Sequence, residues 1–298
     1  MLRTGAQPNH EPSMTARILL VAIVLFVLVA VSGQARAFDT TAREAILIEV
    51  ETGTVLLEKN SQEITFPSSM TKLMTIYLLF ERLAEGSLSL TDTLPVSEKA
   101  WRMGGSKMFV EVDTDVTVED LIRGIVVQSG NDATIVVAEG LAGSEDAFAR
   151  LMTDKAREMG IMATSFQNAS GWPDPNHVTT VADLAILAQR LIEDFPQYYG
   201  YYSETEFTFS DITQSNRNPL LYAGIGADGL KTGYTEAAGY GLAASATEGD
   251  RRLILVVNGF DSSQARASES QRILEWGFRE FDTYDLFAAG EPVSEAEV

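Results

Sequence analysis

Residues Ser69–Leu83 read SMTKLMTIYLLFERL, apolar on nearly every face except at the start. A helix that is apolar all round has no solvent side and must be enclosed by other elements. The fold therefore needs layers around this segment, and the flanking sequence supplies them. Before it, Arg43–Val50 and Thr54–Glu58 flank Glu51-Thr52-Gly53, two apolar runs about a short glycine turn, which predicts a β-hairpin. After it come helical patterns. Thr117-x-x-Asp120 is a capping-box sequence opening Val118–Val127, and Ser129-Gly130 interrupts it. Asp132–Glu139 begins another helix. Ser144 caps Glu145–Met159, which Gly160 ends, and Thr180 caps Val181–Asp194 ahead of Pro196.

Beyond Asp211 the pattern changes to strands: Asp228–Tyr234, Tyr240–Thr247 and Arg252–Gly259, the last two joined at Glu248-Gly249-Asp250. A final amphipathic helix, Gln264–Phe281, offers Ala267, Ile273, Leu274, Trp276 and Phe281 for burial. Two strands, a long helical block, three strands and a helix predict an α/β (α+β) fold. The hairpin and the C-terminal strands join in one antiparallel sheet, with the last helix on one face and the helical insertion on the other.

The residue inventory narrows the chemistry. The chain of 298 residues has no cysteine, which excludes disulfides, thiolate metal sites and a cysteine nucleophile. Its two histidines, His10 and His177, are too few for a multi-histidine zinc site, and any Ser–His–Asp triad would have to use His177. Neither metal nor other cofactor is expected. The net charge is −20, and −22 without residues 1–37, which hold Arg3, Arg17, Arg36 and Glu11. Such a surface repels a phosphate backbone, so nucleic acid is not an expected partner.

Ile18–Val31 is an uninterrupted apolar run preceded by Arg17 and followed by Ala35-Arg36-Ala37. A basic flank, a short apolar core and an A-x-A end predict a secretory signal peptide, residues 1–37, cut after Ala37. The run is shorter than the roughly 20 residues of a membrane-spanning helix. Left uncleaved, the leader would hold the protein to the membrane. Translation starting at Met14 would give a more compact leader. On this division residues 38–284 form the working domain, and 285–298 an acidic tail or the start of a truncated C-terminal domain.

Three short motifs carry chemistry. In Ser69-Met70-Thr71-Lys72, positions i and i+3 share a helix face, so the lysine approaches the serine hydroxyl. In a dry pocket near other cations the amine turns neutral and can take the serine proton. The plainer reading is a capping serine with a snorkelling lysine. Ser129-Gly130-Asn131 sits at an interhelical turn, where these residues also serve simply as helix-stop chemistry. Lys231-Thr232-Gly233 lies in an apolar strand; Gly233 suits close approach of a ligand, although a lysine also blunts an edge strand. Each motif is weak alone. In this order, 60 and then 102 residues apart, they form a specific constellation.

That constellation resembles the D-alanyl-D-alanine carboxypeptidases, the low-molecular-mass penicillin-binding proteins of the bacterial envelope. The similarity runs from about Ala45 to Thr283. It includes Pro67–Thr75, Leu121–Gly124 leading to Gln128–Ala133, Asp228–Thr235 with Ala238-Gly239-Tyr240, Gly104–Phe109 and Trp276-Gly277-Phe278. The resemblance implies a nucleophile in Ser69, a general base in Lys72 and a proton shuttle in Ser129. It implies that Asn131 holds a substrate amide. Lys231, Thr232 and Arg266 would receive the terminal carboxylate, and the backbone N–H groups of Ser69 and Tyr234 would form the oxyanion hole beside Gly233. The plainer reading of Arg266 is a surface cation, which gains nothing from the dipole at a helix start.

The implied substrate is a peptidoglycan stem peptide ending in D-Ala-D-Ala, the implied inhibitors are β-lactams, and the implied place is the periplasm or the outer face of the cytoplasmic membrane. Relatives often carry histidine where this chain has Tyr234, which bears on pH dependence. The alternatives are a serine β-lactamase, a weakly catalytic module that binds peptidoglycan or β-lactams, and a protease using His177. The first lacks a glutamate in Ala169–His177 to activate water, and the last has no supporting motif.

Overall fold

The computed structural model describes residues Phe38–Tyr284. The leader assigned to residues 1–37 and the tail at 285–298 lie outside them. Nine strands follow in order: β1 (Glu44–Glu49), β2 (Val55–Lys59), β3 (Thr93–Pro95), β4 (Asp115–Thr117), β5 (Glu206–Phe209), β6 (Ile212–Ser215), β7 (Ala227–Thr235), β8 (Gly239–Glu248) and β9 (Arg251–Phe260). The α-helices are α1 (Lys72–Ala84), α2 (Glu98–Arg102), α3 (Val118–Val126), α4 (Asn131–Ala142), α5 (Glu145–Glu158), α6 (Val181–Asp194), α7 (Pro196–Tyr199) and α8 (Ser263–Glu280).

The expected sheet is present, five-stranded, antiparallel and ordered β2-β1-β9-β8-β7. The N-terminal hairpin thus pairs through β1 with the last strand, β9, and β7 is left as an edge. Helix α8 packs on one face against β1, β8 and β9, while α6 packs against β1 and β9. Gly277 lets α8 lie close to the sheet: a Cβ there would sit 2.7 Å from Leu47 and 2.9 Å from Leu253. Of the five core candidates on α8, Ile273 and Leu274 are fully buried, whereas Ala267, Trp276 and Phe281 are half-buried. Helix α1 is the enclosed element its sequence demands, with ten of its thirteen residues buried among α3, α4, α5 and α6.

The predicted caps form. Thr117, Ser144 and Thr180 each accept a hydrogen bond from the backbone N–H three residues on, at 3.1, 3.2 and 3.0 Å. One start differs from expectation. Ser69 does not open the α-helix but sits in a 3-10 turn, Ser68–Thr71, with Lys72 as the first α residue. Two small pairs, β3–β4 and β5–β6, were not signalled by the sequence. Among the described residues no helix is long and apolar enough to cross a membrane.

Candidate active site

The 3-10 turn at the head of α1 packs against the edge strand β7. Gly233 allows this approach, since a Cβ there would lie 3.1 Å from the Pro67 carbonyl oxygen and 3.1 Å from Ser68. The turn between α3 and α4 closes the third side. The three motifs, distant in sequence, therefore meet around one cleft.

Lys72 is fully buried. Its Nζ lies 2.7 Å from Asn131 Oδ1, 2.6 Å from the Ser170 carbonyl and 3.0 Å from Ser69 Oγ. An ammonium donates to all three. A neutral amine has two hydrogens, and the two carbonyl oxygens can only accept, so they claim both and the lone pair faces the Ser69 hydroxyl. Burial, then the Arg217 guanidinium, bring the Lys72 pKa down to about 7, against the opposing pull of Asp132. The pair thus reaches the neutral form near neutral pH.

Asn131 Nδ2 also donates to the Gly104 carbonyl at 2.9 Å. Its amide is tied on both sides, with one hydrogen and one lone pair to spare. Ser129 is buried and has a φ of 59°, a left-handed conformation that a non-glycine residue adopts at a cost and that clusters at functional sites. Asp132 is the anchor beneath. One carboxylate oxygen accepts from the Met108 and Ala133 N–H groups at 2.8 and 2.9 Å, the other from Phe109 at 2.8 Å and Val110 at 3.3 Å. The Asn131 N–H donates to the Ser106 carbonyl at 2.7 Å. Segment 104–110 is thereby fixed to the start of α4, and Ser106 is delivered to the cleft.

A cavity of about 200 Å³ is lined by Ser69, Ser106, Ser129, Thr232, Gly233 and Tyr234, with Arg217 and Arg266. Lys231 is buried beside it and is not a solvated charge blunting the sheet edge. Burial, then Lys72, Arg217 and Arg266, hold its ammonium well below the usual lysine range. Arg266 is not a surface cation either. It is 9% exposed, its guanidinium lies 5.8 Å from the Tyr240 ring centroid, and Tyr240 stacks on Tyr234 at 4.2 Å. Its Nε has no hydrogen-bond partner among the described residues. Four cations thus crowd a place that only an added anion would relieve.

Ser106 and Arg217 were not singled out as site residues from sequence. Ser106 lay in a segment noticed only for its familial look. Arg217, which donates to Ser106 Oγ, is an isolated cation in the polar run Ser215–Asn218, a weak signal in a strongly acidic chain.

His177 plays no part in this cleft's proton chemistry. Its Nδ1 accepts from the Gln167 N–H at 3.3 Å, so Nε2 carries the hydrogen and donates to Thr71 Oγ1 at 2.9 Å. Burial lowers its pKa to about 4. A triad through His177 is therefore excluded by its partners. In the cavities containing Ser69 the only carboxylate is that of Glu236, exposed at the rim.

Comparison with known proteins follows the same line. The family model described as D-alanyl-D-alanine carboxypeptidase matches residues 30–262. The D-alanyl-D-alanine carboxypeptidase DacA of Haemophilus influenzae is 40% identical over 263 residues, 87% of this chain and 67% of that protein. DacC of Escherichia coli is 43% identical over 249 residues, 81% of this chain and 62% of that protein. The chain thus spans about two thirds of the length of these relatives. The crystal structure of penicillin binding protein 6B from Escherichia coli superposes with a TM-score of 0.82 at 35% identity, covering 87% of this chain and 84% of that one.

Proposed function

The chain belongs to the D-alanyl-D-alanine carboxypeptidase family, and from that premise we propose that it removes the terminal D-alanine from peptidoglycan stem peptides as a serine-type carboxypeptidase. The observation that carries this reading is the Ser69–Lys72 pair, 3.0 Å apart, with the remaining Nζ hydrogens taken by carbonyls. Ser69 Oγ attacks the carbonyl carbon of the penultimate D-alanine while Lys72 Nζ takes its proton. The backbone N–H groups of Ser69 and Tyr234 receive the oxyanion. As the C–N bond breaks, Ser129 passes a proton to the departing amine, and D-alanine leaves. Water then hydrolyses the acyl ester and regenerates Ser69. Asn131 holds the substrate amide. Lys231, Thr232 and Arg266 receive the terminal carboxylate, and Arg217 joins them.

A β-lactam enters the same route, but its leaving group stays tethered to the acyl-enzyme after the ring opens. The exposed position of Glu236 speaks against a β-lactamase, which needs a positioned base for fast deacylation. The substrate sits in the wall, so the protein acts outside the cytoplasmic membrane, consistent with the leader expected at residues 1–37. Residues 38–284 constitute the catalytic domain.

The test is turnover of an Nα-acylated peptide ending in D-Ala-D-Ala. A carboxypeptidase releases many equivalents of D-alanine, and Ser69→Ala releases none. Release that stops at one equivalent would point instead to a binding module.

A further inference from the structure

Two cavities meet at Ser69. The cationic one carries Arg217 and Arg266. The other, about 280 Å³, runs past Asn131, Ser170 and Trp172 and has no lysine or arginine in its lining. Ser106 and Tyr234 belong to both. If the carboxylate end of the peptide lies among the cations, the chain before the scissile bond must leave through the second cavity. That polarity rests on the carboxypeptidase reading. The second cavity continues across Gly171, Trp172, Pro173 and Thr235 into a cleft of about 210 Å³ whose further walls include Phe66, Pro67, Pro175 and Ala237.

Trp172 divides and joins these spaces, and it is 47% exposed. Its backbone is held by one side chain: the Trp172 N–H donates to Asn168 Oδ1 at 2.9 Å, and Asn168 Nδ2 donates to the Trp172 carbonyl at 3.0 Å. The indole backs onto Gly105, where a Cβ would lie 3.1 Å from its Cζ3. A large aromatic surface is thus fixed, open to solvent, beside the nucleophile. Rigid exposed apolar surface at a cleft marks a ligand contact.

We propose that the Trp172 cleft is a subsite for the side chain of the residue immediately preceding D-Ala-D-Ala, and that it takes a long unbranched aliphatic chain. The next Cα along the peptide lies about 3.8 Å beyond the acyl residue, so a four-carbon side chain reaches across the indole into the Phe66–Pro175 cleft.

The test compares kcat/KM for two acetylated tripeptides, norleucyl-D-Ala-D-Ala and glycyl-D-Ala-D-Ala. Burying about half of the norleucine chain should favour it roughly ten-fold in the wild type. Trp172→Ala should bring the ratio to within about two-fold of unity. So should Ala237→Asp, which sets a carboxylate in the same cleft from an exposed position that folding tolerates. Equal turnover of the two peptides by the wild type, or a preference that survives in a folded variant of either kind, would overturn the subsite. Turnover of neither peptide by the wild type would instead overturn the carboxypeptidase reading.

Discussion

Lys72 has no solvent contact, and burial decides its chemistry. Its working form is the neutral amine, so kcat/KM should rise as pH passes upward through about 7 and fall about ten-fold per unit below it. A pH profile without that limb would detach Lys72 from the proton transfer. Lys72→Arg should lose at least about 10²-fold in turnover, because guanidinium stays protonated and cannot accept the serine proton. Arg266 makes a separable claim. Arg266→Gln should weaken turnover of a free-carboxylate peptide by about 1.5–3 kcal/mol, the range for a hydrogen bond to a charged group. Its effect on the C-terminally amidated peptide should be far smaller, and steady-state kinetics on both substrates checks it. Ser69 and Lys72 were legible in sequence because their encounter is local, one turn apart. Arg217 and Ser106 were not, because a loop path set by distant hydrogen bonds brings them together.

Helix starts were legible wherever a side chain does the capping, as at Thr117, Ser144 and Thr180. The head of α1 was misread because no side-chain cap bond is made there; Ser68, with φ 49°, turns the chain into a 3-10 turn instead. The β5–β6 hairpin escaped because each strand has only four residues and neither has a fully buried face. The join between segment 104–110 and α4 was also invisible, although it rests on one residue. Asp132→Ala would strip the backbone N–H groups of Met108, Phe109 and Val110 of a charged acceptor inside the protein. We expect a loss of about 3 kcal/mol or more in unfolding free energy, measurable by denaturant titration. Unchanged stability would show that the segment is held elsewhere.

Across the whole molecule, the sheet order and the two-sided helical cover follow from hydrophobic pattern, while the cleft arises only where sheet edge and helical block meet. The fold is pH-sensitive on its own account. His177 is neutral and buried, with a pKa of about 4 against an ordinary value near 6.5. The unfolded chain therefore binds the proton first as pH falls. The stability His177 contributes is full above about 6.5 and is lost as pH drops toward 4, by roughly 3 kcal/mol. His177→Gln should flatten that slope in unfolding free energy relative to the wild type; an unchanged slope would place the effect in other groups. The central claim is that Ser69 is the nucleophile of a penicillin-reactive acyl-transfer enzyme. Mass spectrometry of the intact protein after incubation with penicillin addresses it most directly. We expect a mass increase of one penicillin, mapped by peptide digestion to Ser69 and absent from a folded Ser69→Ala protein. An adduct on another residue, or one that persists in folded Ser69→Ala, would contradict it.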